Sequence, residues 1–155
     1  MNKTNAMRML DKEKIPYKVH DYSKSDALSA VDVASFLNEE PGEVFKTLVT
    51  IGKSKEHYVF VLPAVSELDL KKAAKAANEK NIEMIPQREL LPLTGYIHGG
   101  CSPIGMKKHF VTFIDETALN FDTIFVSGGK VGLQIEIAPS DLLKACQGNT
   151  AEIKA

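Results

Sequence analysis

Between Glu43 and Gly52 the chain reads Val44-Phe45-Lys46-Thr47-Leu48-Val49-Thr50-Ile51, an apolar, β-branched run that carries one lysine near its start. Strand alternation puts Lys46 on one face with Val44, Leu48 and Thr50, and puts Phe45, Thr47, Val49 and Ile51 on the other. Both faces are mainly apolar, so the run reads as an inner strand and the cation needs a reason. Its methylenes either thread along the surface and lift the ammonium into water, or point it into a pocket. Snorkelling is the commoner behaviour of half-buried lysines, and the strand pattern by itself leaves both open.

The neighbouring sequence supplies partners for this strand. The polar stretch Gly52–Glu56 forms a turn, and Tyr58-Val59-Phe60-Val61-Leu62 is a second strand, apolar on both faces, so the two make a hairpin at the centre of a sheet. Upstream, Thr4 caps a short helix with Ala6, Met7 and Leu10 as its apolar stripe, ended by Ile15-Pro16; Pro16 to Tyr22 then alternates as a strand. Ser29 caps a helix that includes Asp32, Val33, Ala34, Phe36 and Leu37 and runs to Pro41-Gly42.

Downstream, Ser66–Asp69 opens a helix whose Leu70, Ala73, Ala74 and Ala77 face the core, with Lys71, Lys72 and Lys75 outward and Asn78 at its end. A short strand at Ile82–Met84 and a short helix at Pro86–Leu91 follow. Strands at 109–115 and 121–126 come next, the latter joined by Ser127-Gly128-Gly129-Lys130 to a strand at 131–137. A helix from Leu142 to Cys146, capped by 138–141, precedes a polar tail. Mixed helices and hairpins without regular βαβ units predict an α+β fold: a mixed, largely antiparallel, barrel-like sheet with surrounding helices, in a single domain over 1–155.

The 155 residues, 44% hydrophobic and 25% charged, are sufficient for one packed core without staples. A formal charge of -1 argues against binding nucleic acid by blanket electrostatics, and leaves local patches open at Lys71, Lys72 and Lys75 and at Lys107, Lys108 and His109. Cys101 and Cys146 form no CxxC pair, and His20, His57, His98 and His109 lack zinc-ligand spacing, so no structural metal is expected. The charged N-terminal segment and the absence of a long apolar run predict no membrane span and a cytoplasmic protein with reduced thiols.

Thr94 to Gly105, TGYIHGGCSPIG, is too rich in backbone breakers for helix or strand. It departs from a phosphate-binding loop because lysine comes one residue late and Lys108 stands where Ser or Thr would hold magnesium. Gly99-Gly100 can bring backbone amides close to a ligand, where they would hold a developing oxyanion; an ordinary packed glycine turn is equally compatible. Cys101 would need an activating base, with His98 three residues away the one at hand, and no GxSxG elbow is present.

FKTLV (Phe45–Val49), LDLKKAAKA (Leu68–Ala76), TGYIHGGCSPIG with Lys107-Lys108, and VSGGKVGLQIEIAPSDLL (Val126–Leu143), in that order, resemble the YbaK/EbsC family of aminoacyl-tRNA deacylases over essentially the whole chain. The resemblance implies the fold of the prolyl-tRNA synthetase-associated editing domain and hydrolysis of the aminoacyl ester of mischarged Cys-tRNA(Pro), in which the substrate thiol assists. It further implies no cofactor or metal, and prolyl-tRNA synthetase as a partner. It marks Lys46 as catalytic and matches Tyr22, Thr47, Gly99, Gly100, Ser102, Ser127 and Gly128 to substrate-binding positions. Alternatives are the sister-branch Ala-tRNA(Pro) deacylase and a non-catalytic module that binds aminoacyl-tRNA or a synthetase.

Overall fold

The run that begins at Val44 lies at the junction of two sheets in the computed structural model, which describes residues 2–24 and 30–155. In chain order the elements are α1 (Asn5–Lys12), β1 (Lys18–Asp21), α2 (Ala30–Phe36), β2 (Phe45–Gly52), β3 (His57–Pro63), α3 (Leu70–Ala77) and β4 (Ile82–Met84). They continue with α4 (Leu90–Thr94), β5 (Val111–Asp115), β6 (Ile124–Ser127), β7 (Leu133–Ile137), α5 (Pro139–Cys146) and β8 (Asn149–Ala151), with 3-10 turns between some of them. The larger sheet has the order β4-β2-β3-β5-β8 and the smaller β1-β7-β6. The hairpin pairs Lys46 with Leu62 and Thr47 with Val61. A parallel bridge between Val44 and Phe125 ties the start of β2 to β6 and so joins the sheets.

The pairings of β2 with β3 and β4, and of β7 with β1 and β6, are antiparallel, whereas β3 with β5 and β5 with β8 are parallel. The fold is therefore the mixed, largely antiparallel α+β arrangement that the sequence predicts. The hairpin is buried on both faces. Val49, Val59 and Val61 enter the main core with α1 and the smaller sheet, while Phe60 and Leu62 enter a second cluster beneath α3, where Leu48 packs at the edge.

Local sequence explains the helix ends. The Thr4 hydroxyl accepts from the Met7 amide at 3.3 Å, and the Asp69 carboxylate accepts from Lys71 and Lys72 amides at 2.9 and 3.0 Å. Asn78 closes α3 in the left-handed region at φ 56°.

Four expectations need correction. Leu70 is 44% exposed rather than core-facing, because α3 turns Ala73 and Ala74 inward. The helix around Val33 stops at Phe36, and Pro41-Gly42 open a 3-10 turn instead of ending it; the Ser29 cap lies outside the described residues. The final helix starts at Pro139, one turn before Leu142. The polar tail is ordered: β8 pairs with β5, Ile153 is fully buried, and the Asp115 carboxylate accepts from the amides of Ile153 and Lys154 at 3.1 and 3.3 Å. Asp115 is buried, and these amides together with the Thr117 hydroxyl at 2.6 Å compensate its desolvation.

Candidate functional site

A cavity of about 310 Å³ opens where β2 leaves the larger sheet to meet β6, a size at the low end for small-molecule sites. Its wall includes Lys46 and Thr47 from β2, Tyr22 from the end of β1, Gly99 and Cys101 from the glycine loop, Ser127 from β6 and Gln134 from β7. Val33 of α2 and Leu90 of α4 add apolar surface. No lining residue among those described is a carboxylate, so Lys46 has no acidic neighbour in the described wall. Lys46 is half-buried and has no ion-pair partner among the described residues. The pocket alternative, rather than a lysine directed away across an outer face, matches this placement.

Thr47 adds a second polar group without a partner. Its Oγ1 is buried and forms no hydrogen bond among the described residues. An orphaned buried hydroxyl costs stability, on the order of 1–3 kcal/mol, and a bound ligand is one way to satisfy it. Adjacent residues of one strand thus bring to the cavity wall a lysine and a threonine, the latter with a buried hydroxyl that has no partner among the described residues.

The glycine loop is held firmly. The Tyr96 hydroxyl donates to the Ile104 carbonyl at 2.6 Å, the Thr94 hydroxyl to Leu90 at 2.7 Å, and the Lys107 amide to Thr94 at 2.9 Å. Gly99 sits at φ 86°, a conformation costly for a side-chain-bearing residue, and faces the cavity. Gly100 lies behind it against the Lys130–Val131 backbone: a Cβ there would come within 2.9 Å of the Val131 nitrogen. Its amide donates to the Ile97 carbonyl at 3.0 Å, so that donor is engaged within the loop.

Of the residues singled out in the sequence, Tyr22, Lys46, Thr47, Gly99 and Ser127 thus meet at one cavity. Gly100, Ser102 and Gly128 stand behind its lining. Ser102 is fully buried and its hydroxyl accepts from the Ile104 amide at 3.2 Å. The Gly128 amide donates to Leu133 at 2.9 Å and shapes the β6–β7 turn that carries Ser127; the Ser127 hydroxyl accepts from the Gly129 amide at 3.1 Å.

Cys101 and His98 both reach the cavity, but no hydrogen bond joins them among the described residues. Burial pushes the Cys101 thiol up to about 11, despite a hydrogen bond with Thr94 that acts the other way, so it is protonated at neutral pH and a poor nucleophile. Cys146 is pushed up to about 11 by burial as well, and its thiol donates to the Leu142 carbonyl at 3.0 Å. The described residues contain no group of three or more His, Cys, Asp or Glu side chains able to hold a metal, and none of their helices is long and apolar enough to cross a membrane. Of the lysine clusters, Lys72 is tied to Glu152 at 2.8 Å and Lys108 lies 5.8 Å from the centre of the Phe110 ring.

Gln134 is a polar lining residue that sequence reasoning passed over. It is only 4% exposed and stands opposite Ser127 in the β6–β7 register. The available signal was a polar residue alternating with Leu133, Ile135 and Ile137 in an otherwise core-facing strand.

A cavity at a sheet junction that has, among the described residues, an unpaired lysine, an unpartnered hydroxyl and a fixed glycine loop is the feature of a small ligand-binding domain. The chain belongs to the aminoacyl-tRNA editing domain family, whose pattern it matches from residue 24 to residue 145. It is 51% identical over 152 residues to an Enterococcus faecalis protein named as a Cys-tRNA(Pro)/Cys-tRNA(Cys) deacylase, EbsC, with 97% of this chain and 93% of that protein covered. Among solved structures it is similar to one described as a trans-editing enzyme for prolyl-tRNA synthetase, at TM-score 0.86 and 24% identity over 100% of this chain and 99% of the other. A crystal structure of a hypothetical protein is similar at TM-score 0.88 and 20% identity, with 97% and 99% covered. These two structural likenesses speak to the fold.

Proposed function

We propose that the protein is a trans-editing deacylase that hydrolyses the aminoacyl ester of Cys-tRNA(Pro), with Lys46 as its catalytic residue. The observation that carries the proposal is Lys46, without an ion-pair partner among the described residues, next to Thr47 with its likewise unpartnered buried hydroxyl, both on the wall of a cavity whose described lining has no carboxylate. Family membership and the 51% identity to the deacylase-named protein support the substrate class.

The residues fit a reaction in which the substrate brings its own nucleophile. The cysteinyl sulfur attacks the ester carbonyl carbon, a C–S bond forms, and the C–O bond to the terminal ribose breaks. The thiol proton ends on the departing ribose oxygen, and water then opens the four-membered thiolactone to free cysteine. The chain contributes position and charge: the Lys46 ammonium stabilises the tetrahedral oxyanion, and Thr47 and Ser127 hold the acyl group near it. Tyr22 and Gly99 bound the acyl group, with Gly100, Ser102 and Gly128 fixing the loop and turn behind them. A protonated Cys101 is not called upon. Alanine has no thiol to attack with, so the same site would process Ala-tRNA(Pro) slowly.

A cavity of this size reads the amino acid and little of the tRNA, so selection of proline tRNA would come from association with prolyl-tRNA synthetase in the cytoplasm. The test is release of amino acid from Cys-tRNA(Pro), Ala-tRNA(Pro) and Pro-tRNA(Pro) by catalytic amounts of protein. Cysteine should be released fastest. Faster alanine release would assign the alanyl branch, and tight binding without turnover would make the chain a binding module.

A further inference from the structure

The proposed substrate carries an α-ammonium as well as an ester, and the described wall offers it no carboxylate. A carboxylate in the wall would also pair with Lys46 and neutralise the charge that the ester needs. The protein has an acidic group one layer back. Assigned by its hydrogen-bonding surroundings, the Gln134 amide directs its nitrogen at both oxygens of Glu39, at 3.0 and 3.1 Å, and turns its oxygen toward donor groups. Gln134 lines the cavity and Glu39 does not.

We infer that Gln134 binds the α-ammonium of the aminoacyl ester through the second lone pair of its carboxamide oxygen, and that Glu39 is the positioning residue that fixes and polarises this carboxamide from behind. The inference rests on the deacylase reading of the cavity. An amide bonded to a carboxylate through its nitrogen is a stronger acceptor at its oxygen, because linked hydrogen bonds polarise one another. The anion thus acts on the substrate ammonium through Gln134 without standing in reach of Lys46.

Glu39 is half-buried and surrounded by other acids. Glu136 on β7 and Glu43 in the turn after α2 face it, and Glu136 is itself held as a carboxylate by the Thr123 hydroxyl at 2.6 Å and by His20 of β1 at 2.8 Å. Burial first, then Glu136 and Glu43, push the Glu39 carboxyl up to about 7, against the opposing effect of Gln134. Above that pH the anion holds Gln134 from behind; below it Glu39 is neutral and the polarisation fades. A carboxyl raised in the folded state costs stability as pH rises through 4.5 and toward 7.

The experiment compares kcat/KM for Cys-tRNA(Pro) of the wild type and Glu39→Gln between pH 5.5 and 8.5. Titration of the substrate thiol cancels in the ratio of the two. The ratio should be near 1 at the acid end, rise as Glu39 ionises to as much as about tenfold, the scale of one charge-assisted hydrogen bond, and fall again toward the alkaline end, where the α-ammonium itself deprotonates near the ordinary α-amino value of about 7.7. N-acetyl-Cys-tRNA(Pro), which has no ammonium, should show a flat ratio near 1. The same pair in a His20→Gln background should keep the rise, which excludes the imidazole as its source. Glu39→Gln should melt higher than the wild type at pH 8 and no lower at pH 5, which establishes that it folds. A ratio that stays constant with pH, or rises equally for the N-acetyl substrate, overturns the inference while leaving the deacylase reading intact. A wild type inactive on every charged tRNA removes that reading, and this inference with it.

Discussion

At its Gly52 end β2 carries polar groups that are satisfied inside the protein, whereas at its Lys46 end it carries two that have no partner among the described residues. The Thr50 hydroxyl is fully buried and donates to the Tyr58 carbonyl at 2.9 Å. Just beyond, the Glu79 carboxylate lies over Gly52 and accepts from the Ser54 amide at 3.1 Å, from the Ser54 hydroxyl and from the Tyr58 hydroxyl at 2.6 Å. Those bonds hold Glu79 below the ordinary carboxylate range. Three residues before Thr50, Thr47 has a buried hydroxyl without a partner, and Lys46 has no acidic neighbour in the cavity wall, among the described residues. The first arrangement is what a strand needs to fold; the second costs stability and is retained where a ligand completes it.

Variants can separate the two ends. Lys46→Ala should lower cysteine release by about a hundredfold or more, the scale of losing an oxyanion-stabilising group, while the unfolding midpoint stays unchanged. Equal loss of activity and stability would make Lys46 a structural residue. Gly52→Ala should do the reverse. A Cβ at this position would come within 2.4 Å of the Glu79 carboxyl carbon and displace it from Ser54 and Tyr58. Chemical denaturation should show a loss of about 1–2 kcal/mol, typical of overpacking, with turnover per folded molecule retained. Cys101→Ser should have the smallest effect, within about threefold in rate, because a buried, protonated thiol is not the nucleophile. Abolished activity would put the chemistry on the enzyme's own sulfur.

The hairpin was legible because Val59, Phe60, Val61 and Leu62 leave no polar face for solvent, and such a strand must be central. Lys46 stood out for the same reason, as the exception in a run of that kind. The last strand was not legible: Asn149-Thr150-Ala151 lacks apolar alternation, and β5 and Asp115 supply the pairing and hydrogen bonds that order it. Leu70 was misjudged because helical spacing tells which residues share a face, not which face turns inward. The cavity was half legible. Tyr22, Lys46, Thr47, Gly99 and Ser127 could be marked one by one, but Val33, Leu90 and Gln134 come to the wall only through the meeting of the two sheets. Glu39 behind Gln134 belongs to the same class, since 95 residues of sequence separate the two.

The claim that β2 keeps the buried Thr47 hydroxyl unpartnered for its substrate is tested most directly by Thr47→Val, measured for both denaturation and Cys-tRNA(Pro) deacylation. Valine keeps the shape and removes the orphan oxygen. The variant should be more stable by about 1 kcal/mol, the cost of an unsatisfied buried hydroxyl, and about tenfold slower in kcat/KM, as for one lost hydrogen bond to the reacting group. A variant that is less stable and as fast as the wild type would contradict the account, because the Thr47 hydroxyl would then belong to the fold and not to the site.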